Sequence, residues 1–302
     1  MVEMPGHSWR GAMPLLTADE MRTREELRRH VRTLAGDIGA RTAETGIEIA
    51  AEYLCETLSA LGYTTSELPY TVGAFRYRNI RTEIPGSSGE VVVVGAHYDT
   101  AGPYPGANDN ASGVAAVLEL ARVLKDAKPR RTVRFVLFPN EEPPFFMGPE
   151  MGSFVYARRC RERGDKITAM LSLETIGYYS DEPGSQVYPF PAGTYPTTAN
   201  FIGFVGNPGS RSLLRECMRV FRETTRFPSE GIAAPAVIPG VGWSDHWSFW
   251  QHGYPAIMVT DTAPYRYPYY HSAEDTPDKL DYDRMARVVR GIERVVRALA
   301  GE

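Results

Sequence analysis

Residues 91–113, VVVVGAHYDTAGPYPGANDNASG, decide how the rest of the chain is read. Alternate side chains of a strand point to opposite faces, so four valines in succession at 91–94 predict a strand buried on both sides. His97 and Asp99 stand at the C-terminal end of that strand. A Gly/Pro-rich loop follows, then Asp109, then a helix starting near residue 111. In open α/β sheets ligands bind in the crevice beyond the carboxyl ends of the strands. An imidazole and two carboxyl groups therefore fall where such a fold builds a site.

Upstream, Thr17-x-x-Glu20 is a capping-box pattern. Leu27, Val31 and Leu34 recur at helical spacing, with Gly36 as the stop. Ile47, Ala51, Leu54, Leu58 and Leu61 predict a second helix closed by Gly62. His30, on the Arg-rich side of the first helix, reads as solvated and without a chemical role. Segments 63–72 and 76–84 read as strands, and 85–89 as a turn after them.

Downstream, helices are expected over 111–124, 153–163, 213–227, 243–251 and 282–299. Strands are expected over 132–138, 167–173, 201–205, 236–238 and 256–260. The strand at 132–138 runs into Asn140-Glu141-Glu142, and the one at 167–173 ends at Glu174. Residues 181–198, rich in Pro, Gly, Ser and Tyr, read as a long surface loop. A second aromatic loop leads to His271. Helices and strands alternate without a repeat or a long linker. The expected architecture is one α/β domain over 1–302, with three layers, α/β/α, around a mixed, mostly parallel sheet, and with 1–16 as an N-terminal extension.

The bulk properties narrow the function. The 302 residues are 43% hydrophobic and 23% charged, enough core for one large domain or two small ones. A net charge of -4 and a pI near 5.9 speak against nucleic acid or an anionic membrane as a partner. No apolar run approaches a membrane span, and the first sixteen residues lack a signal-peptide core, so a cytoplasmic protein is expected. Cys55, Cys160 and Cys217 are too scattered for a disulfide framework or a zinc knuckle and suit a reducing compartment.

His97, Asp99, Asp109, Glu141, Glu142, Glu174 and His271 each end an apolar strand or lie in a loop after one. Mixed imidazole and carboxylate ligands suit zinc or another borderline first-row metal. Two histidines and three carboxylates serve two metals if one carboxylate bridges them, the arrangement that activates water and polarises a carbonyl in hydrolysis. Adjacent residues on extended backbone diverge, so one of Glu141 and Glu142 can face metal while the other faces substrate as general base. Residues two apart share a side, so Asp99 can hold the ring nitrogen of His97 that is not on metal.

GAHYDT (95–100), GANDNASG (106–113), NEE (140–142), LSLETIGYY (171–179) and YYHSAEDT (269–276) occur in this order. Together they resemble the M28 family of zinc aminopeptidases, with its phosphorylase/hydrolase-like α/β/α fold, from about residue 31 to the C-terminus. The resemblance implies two zinc ions. His97 and Glu174 would ligate one, Glu142 and His271 the other, and Asp109 would bridge them in an unusual backbone geometry at the Asp109-Asn110 step. It further implies Glu141 as general base and Asp99 as the group that orients His97. The substrate would be a short peptide or amino-acid amide.

Two departures stand out. The position of Glu174 is commonly Asp in the family. ProProPhePheMetGlyPro after Glu142 inserts a stiff apolar loop expected to narrow the pocket and favour small substrates. Asp245, Tyr178 and Trp243 are the expected pocket residues. Ser244 and Asp245 also suit helix capping, His246 and His252 suit packing, and the aromatic set around Trp243, Trp247, Trp250 and 265–270 suits core and loop packing. The alternatives to an aminopeptidase are a single-zinc acyltransferase of the glutaminyl cyclase kind, which would give Asp245 more weight, a hydrolase of another amide bond, and a non-catalytic binding protein on the same scaffold.

Overall fold

Alternation within the valine run sets the layering. Val92, Val94 and Ala96 join one buried cluster, while Val91 and Val93 join another. The fold, given by a computed structural model, is described for residues 3–189, 193 and 195–302. Residues 1 and 2 of the expected N-terminal extension, and 190–192 and 194 of the expected long loop, lie outside the described residues.

The strands are β1 (Ser66–Val72), β2 (Phe75–Ile84), β3 (Glu90–His97), β4 (Thr132–Phe138), β5 (Lys166–Glu174), β6 (Ile202–Gly206), β7 (Ser229–Ala233) and β8 (Ala256–Thr260). They form one eight-stranded sheet in the order β1-β2-β4-β3-β5-β8-β6-β7. β4, β3, β5 and β8 run parallel, as do β6 and β7, while β1–β2, β2–β4 and β8–β6 are antiparallel. The mixed sheet is as the alternating pattern predicts.

The helices are α1 (Ala18–Val31), α2 (Ile47–Ala60), α3 (Gly113–Leu124), α4 (Gly152–Arg163), α5 (Arg211–Thr224), α6 (His246–Gln251) and α7 (Tyr282–Ala300). α1, α2, α3, α5 and α7 bury their apolar stripes in the cluster that holds Val92 and Val94. α4 and α6 supply Tyr156, Ala157 and Phe249 to the cluster that holds Val91 and Val93. In α7 Met285, Val288, Val289, Ile292, Val295 and Val296 are fully buried, while Leu299 at the same helical spacing is half-buried. Each such side chain contributes about 1.5–3 kcal/mol of apolar burial, so this helix clamps one face of the sheet. The Thr17 capping box is present, with Thr17 and Glu20 exchanging hydrogen bonds. Among the described residues no helix is long and apolar enough to cross a membrane.

Three expectations are corrected. The first helix does not stop at Gly36: a wider-turned segment, Arg32–Ile38, carries it on to Gly39, whose φ of 78° ends it. Residues 236–238 are a turn between Pro235 and Pro239, with Val237 exposed. The strand of that region is β7, SEGIA, whose single large apolar residue gave no alternation to read. His30 is buried, its Nδ1 2.6 Å from the Tyr53 hydroxyl and its Nε2 3.1 Å from Arg29.

Candidate metal centre and substrate pocket

The parallel strands deliver their C-terminal ends to one crevice. β3 ends in His97, β4 leads to Glu141 and Glu142, β5 ends in Glu174, and the chain after β8 returns through His271. Asp109 arrives on the loop Ala107–Ser112 ahead of α3. Of the residues expected at the site, the structure brings together His97, Asp109, Glu141, Glu142, Glu174 and His271. His97, Asp109 and Glu174 present ligand atoms within 4.8 Å of one another, and so do Asp109, Glu142 and His271. A third grouping joins His97 to Glu141 and Glu142. His97 Nε2 lies 3.2 Å from both Asp109 Oδ1 and Glu174 Oε2. His271 Nε2 lies 3.0 Å from Asp109 Oδ2 and 3.3 Å from Glu142 Oε1.

The backbone around these groups is constrained. The Asp109–Asn110 peptide is cis. Asn140, Thr175 and His271 hold φ of 62°, 46° and 52°. That region costs a non-glycine residue about 1–3 kcal/mol and persists where surroundings enforce it. Buried hydrogen bonds hold the backbone around Asp109 and Thr175. Asp275 accepts the backbone N–H of Asn108 at 2.8 Å and of Asp109 at 3.1 Å, and the Tyr267 hydroxyl at 2.7 Å. The Asn110 side chain accepts Gly113 and Thr175 N–H and donates to Leu173 O. Fully buried Arg41 donates to Tyr98, Leu34, Gly39, Pro105 and Gly106 carbonyls, tying the loop before Asp109 to the first helix. The Ser244 hydroxyl donates to Glu174 Oε2 at 2.7 Å. Tyr270 stacks on His271 with ring centres 3.9 Å apart. Sequence reading assigned no part to Asp275, Arg41, Ser244 or Tyr270 in holding these groups, and to Asn110 only its place in the unusual Asp109-Asn110 step. Asp275 and Tyr270 lie inside a quoted motif, while Arg41 carries no local signal.

Burial and the crowding of carboxylates set the electrostatics of the cluster. Burial opposes charge on His97, yet Glu174, Asp109 and Asp99 hold its pKa well above the ordinary value. Burial, then Glu142 and Glu174, push Glu141 well above the carboxylate range, against the pull of His97. Burial and Asp109 push Glu142 up to about 7, and burial pushes Glu174 up to about 7. Asp109 resists burial and stays below its usual range because both histidines face it. Buried His97 Nε2, Asp109 Oδ1 and Glu142 Oε1 have close neighbours but no aligned hydrogen bond. Carboxylates outnumber cations, and their free lone pairs converge. This donor set fits borderline divalent cations, zinc among them.

Asp99 sits behind His97, its Oδ1 3.4 Å from Nδ1, and its Oδ2 accepts the Glu142 N–H at 3.0 Å. Beside the cluster opens a largely apolar cavity of about 340 Å³, lined by Trp243, Phe146, Tyr265, Tyr270, Met258 and Gly203 among others. Trp243 is thus on the wall, and part of the aromatic set expected to pack forms the pocket instead. Tyr178 and Asp245 are not on that wall. Tyr178 packs on Tyr267, with ring centres 4.8 Å apart, and its N–H is held by Asp261. Asp245 is fully buried, makes no capping bond, and has neither oxygen in an aligned hydrogen bond. The capping reading fails because the backbone of Asp245 is already helical and Ser244 is turned to Glu174.

Comparison with known proteins agrees with this geometry. The model of "Peptidase family M28" matches residues 79–296. The chain is 40% identical over 298 residues to the uncharacterized protein YfbL of Escherichia coli (strain K12), covering 94% of this chain and 90% of that one. It is 28% identical over 260 residues to a probable leucine aminopeptidase of Trichophyton verrucosum (strain HKI 0517), covering 80% of this chain but only 64% of that longer relative. In structure it is similar to a zinc aminopeptidase from Bacillus subtilis, with TM-score 0.75, 16% identity, and 91% and 95% of the two chains covered. It is also similar to the Fimbriiglobus ruber glutaminyl cyclase, with TM-score 0.71, 22% identity, and 96% and 97% covered. Both likenesses are of fold.

Proposed function

Because the chain belongs to peptidase family M28, we propose that it is a metal-dependent aminopeptidase that removes N-terminal residues from short peptides, holding two divalent ions, zinc by preference. The observation that carries this reading is the sharing of Asp109 by two ligand sets, His97 with Glu174 and Glu142 with His271. Bound ions supply Lewis-acid polarisation at the scissile carbonyl and at the attacking water.

The remaining chemistry belongs to side chains. Glu141 accepts the proton of the attacking water on its carboxylate and hands it to the departing amine. Support for this role is its burial within the cluster, with a carboxylate oxygen within 4.8 Å of ligand atoms of His97 and Glu142. Asp99 fixes the tautomer and orientation of His97 through Nδ1. Ser244 and Asn110 steer the longer Glu174 side chain, so a glutamate serves where an aspartate is common. Pro143 and Phe146 of the inserted loop form one wall of the cavity and exclude water there. We also read the chain as one peptidase domain acting in a reducing compartment, its three cysteines being unpaired.

The test is metal analysis paired with a screen of aminoacyl-nitroanilides and an N-blocked control. Two metals per chain and cleavage of free but not blocked substrates support the reading. One metal with a cyclised glutaminyl product identifies the acyltransferase alternative.

A further inference from the structure

The floor of the cavity is a row of residues in direct register across four strands. Glu174 of β5 pairs with Thr260 of β8, Thr260 with Gly203 of β6, and Gly203 with Glu230 of β7. Directly paired residues share a face of the sheet, here the face on which Met258, Val205 and Ile232 also cluster. Strands lie about 4.8 Å apart, so the row runs roughly 14 Å from the ligand Glu174 to Glu230. Gly203 keeps the middle of the row low. A Cβ placed there would stand 3.2 Å from Thr260 O and 3.4 Å from Thr262 Cγ2.

Among the described lining residues, Glu230 is the one charged group of the cavity outside the metal cluster. Its side chain is 22% exposed. Burial pushes its carboxyl above the usual range, with Arg222, Ser8 and Arg10 acting the other way. Arg222 does not neutralise it closely. The guanidinium donates to the carbonyls of Pro5, Gly6 and Ser229 and stands 3.9 Å from Glu230 Oε2. The hydroxyls of nearby Tyr188 and Tyr195 donate to the carbonyls of Pro196 and Gly231, which leaves their rings to the cavity. A carboxylate with no cation among the described residues closer than Arg222 at 3.9 Å, at the end of an apolar, aromatic trough, matches a side chain with a long aliphatic stem and a cationic head.

Resting on the aminopeptidase reading, we propose that Glu230 is a specificity-determining residue that receives the cationic end of a lysine or arginine at the substrate's N-terminus. The stem would lie over Gly203, with the α-amine at the cluster.

The test compares lysine with norleucine, which has the same four-carbon chain without the amine. Lysyl- and norleucyl-nitroanilide turnover, and calorimetric binding of free L-lysine and L-norleucine to zinc-supplemented protein, are measured for wild type and Glu230→Gln. The lysine-to-norleucine ratio should fall about ten- to a hundredfold in the variant, the size of a hydrogen bond to a charged group. A ratio unchanged within twofold in both measurements overturns the proposal. Gly203→Val fills the middle of the trough and leaves the Glu230 carboxylate in the sequence. It should depress lysyl and norleucyl turnover together, and undiminished lysyl turnover overturns the path. If wild type cleaves no aminoacyl substrate, the aminopeptidase reading fails, and the binding ratio still decides the role of Glu230.

Discussion

The centre and the flank of the sheet are built differently. β3, β4 and β5 are 8, 7 and 9 residues long and are gripped by apolar cores on both faces. β6, β7 and β8 are five residues each, and one face of this flank opens on the cavity. A rigid, doubly packed centre can hold a crowd of carboxylates at fixed distances, whereas a flank with one open face can shape a pocket. The expectation is a division of labour: changes at the strand ends of the centre act on metal and turnover, and changes on the flank act on substrate choice.

The largest effect belongs to the centre. Glu141→Gln should lower kcat by about 10²–10⁴-fold, the usual contribution of a general base, while metal content stays as in wild type. Turnover intact with an altered substrate preference would break the division.

Asp275→Asn comes next. Asp275 does not itself line the cavity but accepts the backbone N–H groups of Asn108 and Asp109, so its loss should weaken zinc affinity about 10–100-fold, as changes behind metal ligands do. Competition with a chelator measures this, and unchanged affinity would show that the loop holds itself.

A third prediction separates burial from function. His97 and His30 are both buried, but carboxylates surround His97, whereas burial, Arg29 and Arg122 push His30 down to about 3. Arg29 donates to His30 Nε2, Tyr53 faces Nδ1, and Glu26 stands 3.9 Å away. A histidine whose folded pKa lies below its unfolded value near 6.5 stays neutral in the fold. Its contribution is full above pH 6.5 and is lost as the pH falls from there toward 3. The stability difference between wild type and His30→Gln should therefore shrink by about 2 kcal/mol between pH 8 and pH 5. Denaturant unfolding at the two pH values checks this, and a constant difference would place the charge balance of His30 elsewhere.

The smallest effect is expected of the inserted loop. Deleting 145–149 removes Phe146 from the cavity wall and should shift the peptide-length preference severalfold without touching zinc content. An unchanged length preference would remove the loop from the account of specificity.

The same contrast explains what was legible. Val91–Val94 and the apolar run of β4 announce buried strands, and a ligating residue at a strand end is visible because the run stops there. β7 was not visible, since its pocket-facing residues are Glu230 and Ile232 and its other face carries a glycine against Met218. Ala236, Val237 and Ile238 have the composition of a strand, but Pro235 and Pro239 deny it a ladder. The residues that converge could be named in advance because each has chemistry of its own. Their supports could not, because Asp275, Arg41 and the side-chain bonds of Asn110 act through backbone groups that only the fold brings near. Asp245 and Tyr178 misled in the other direction. Their residue types suit a pocket, yet a buried helix start and a tyrosine pair take them away from the wall.

The central claim is that two ions share Asp109. Equilibrium dialysis against zinc, followed by metal analysis, tests it directly on wild type and Asp109→Ala. The account predicts two zinc ions per chain in wild type and fewer than one in the variant. A single zinc in wild type, or two retained without Asp109, would contradict it.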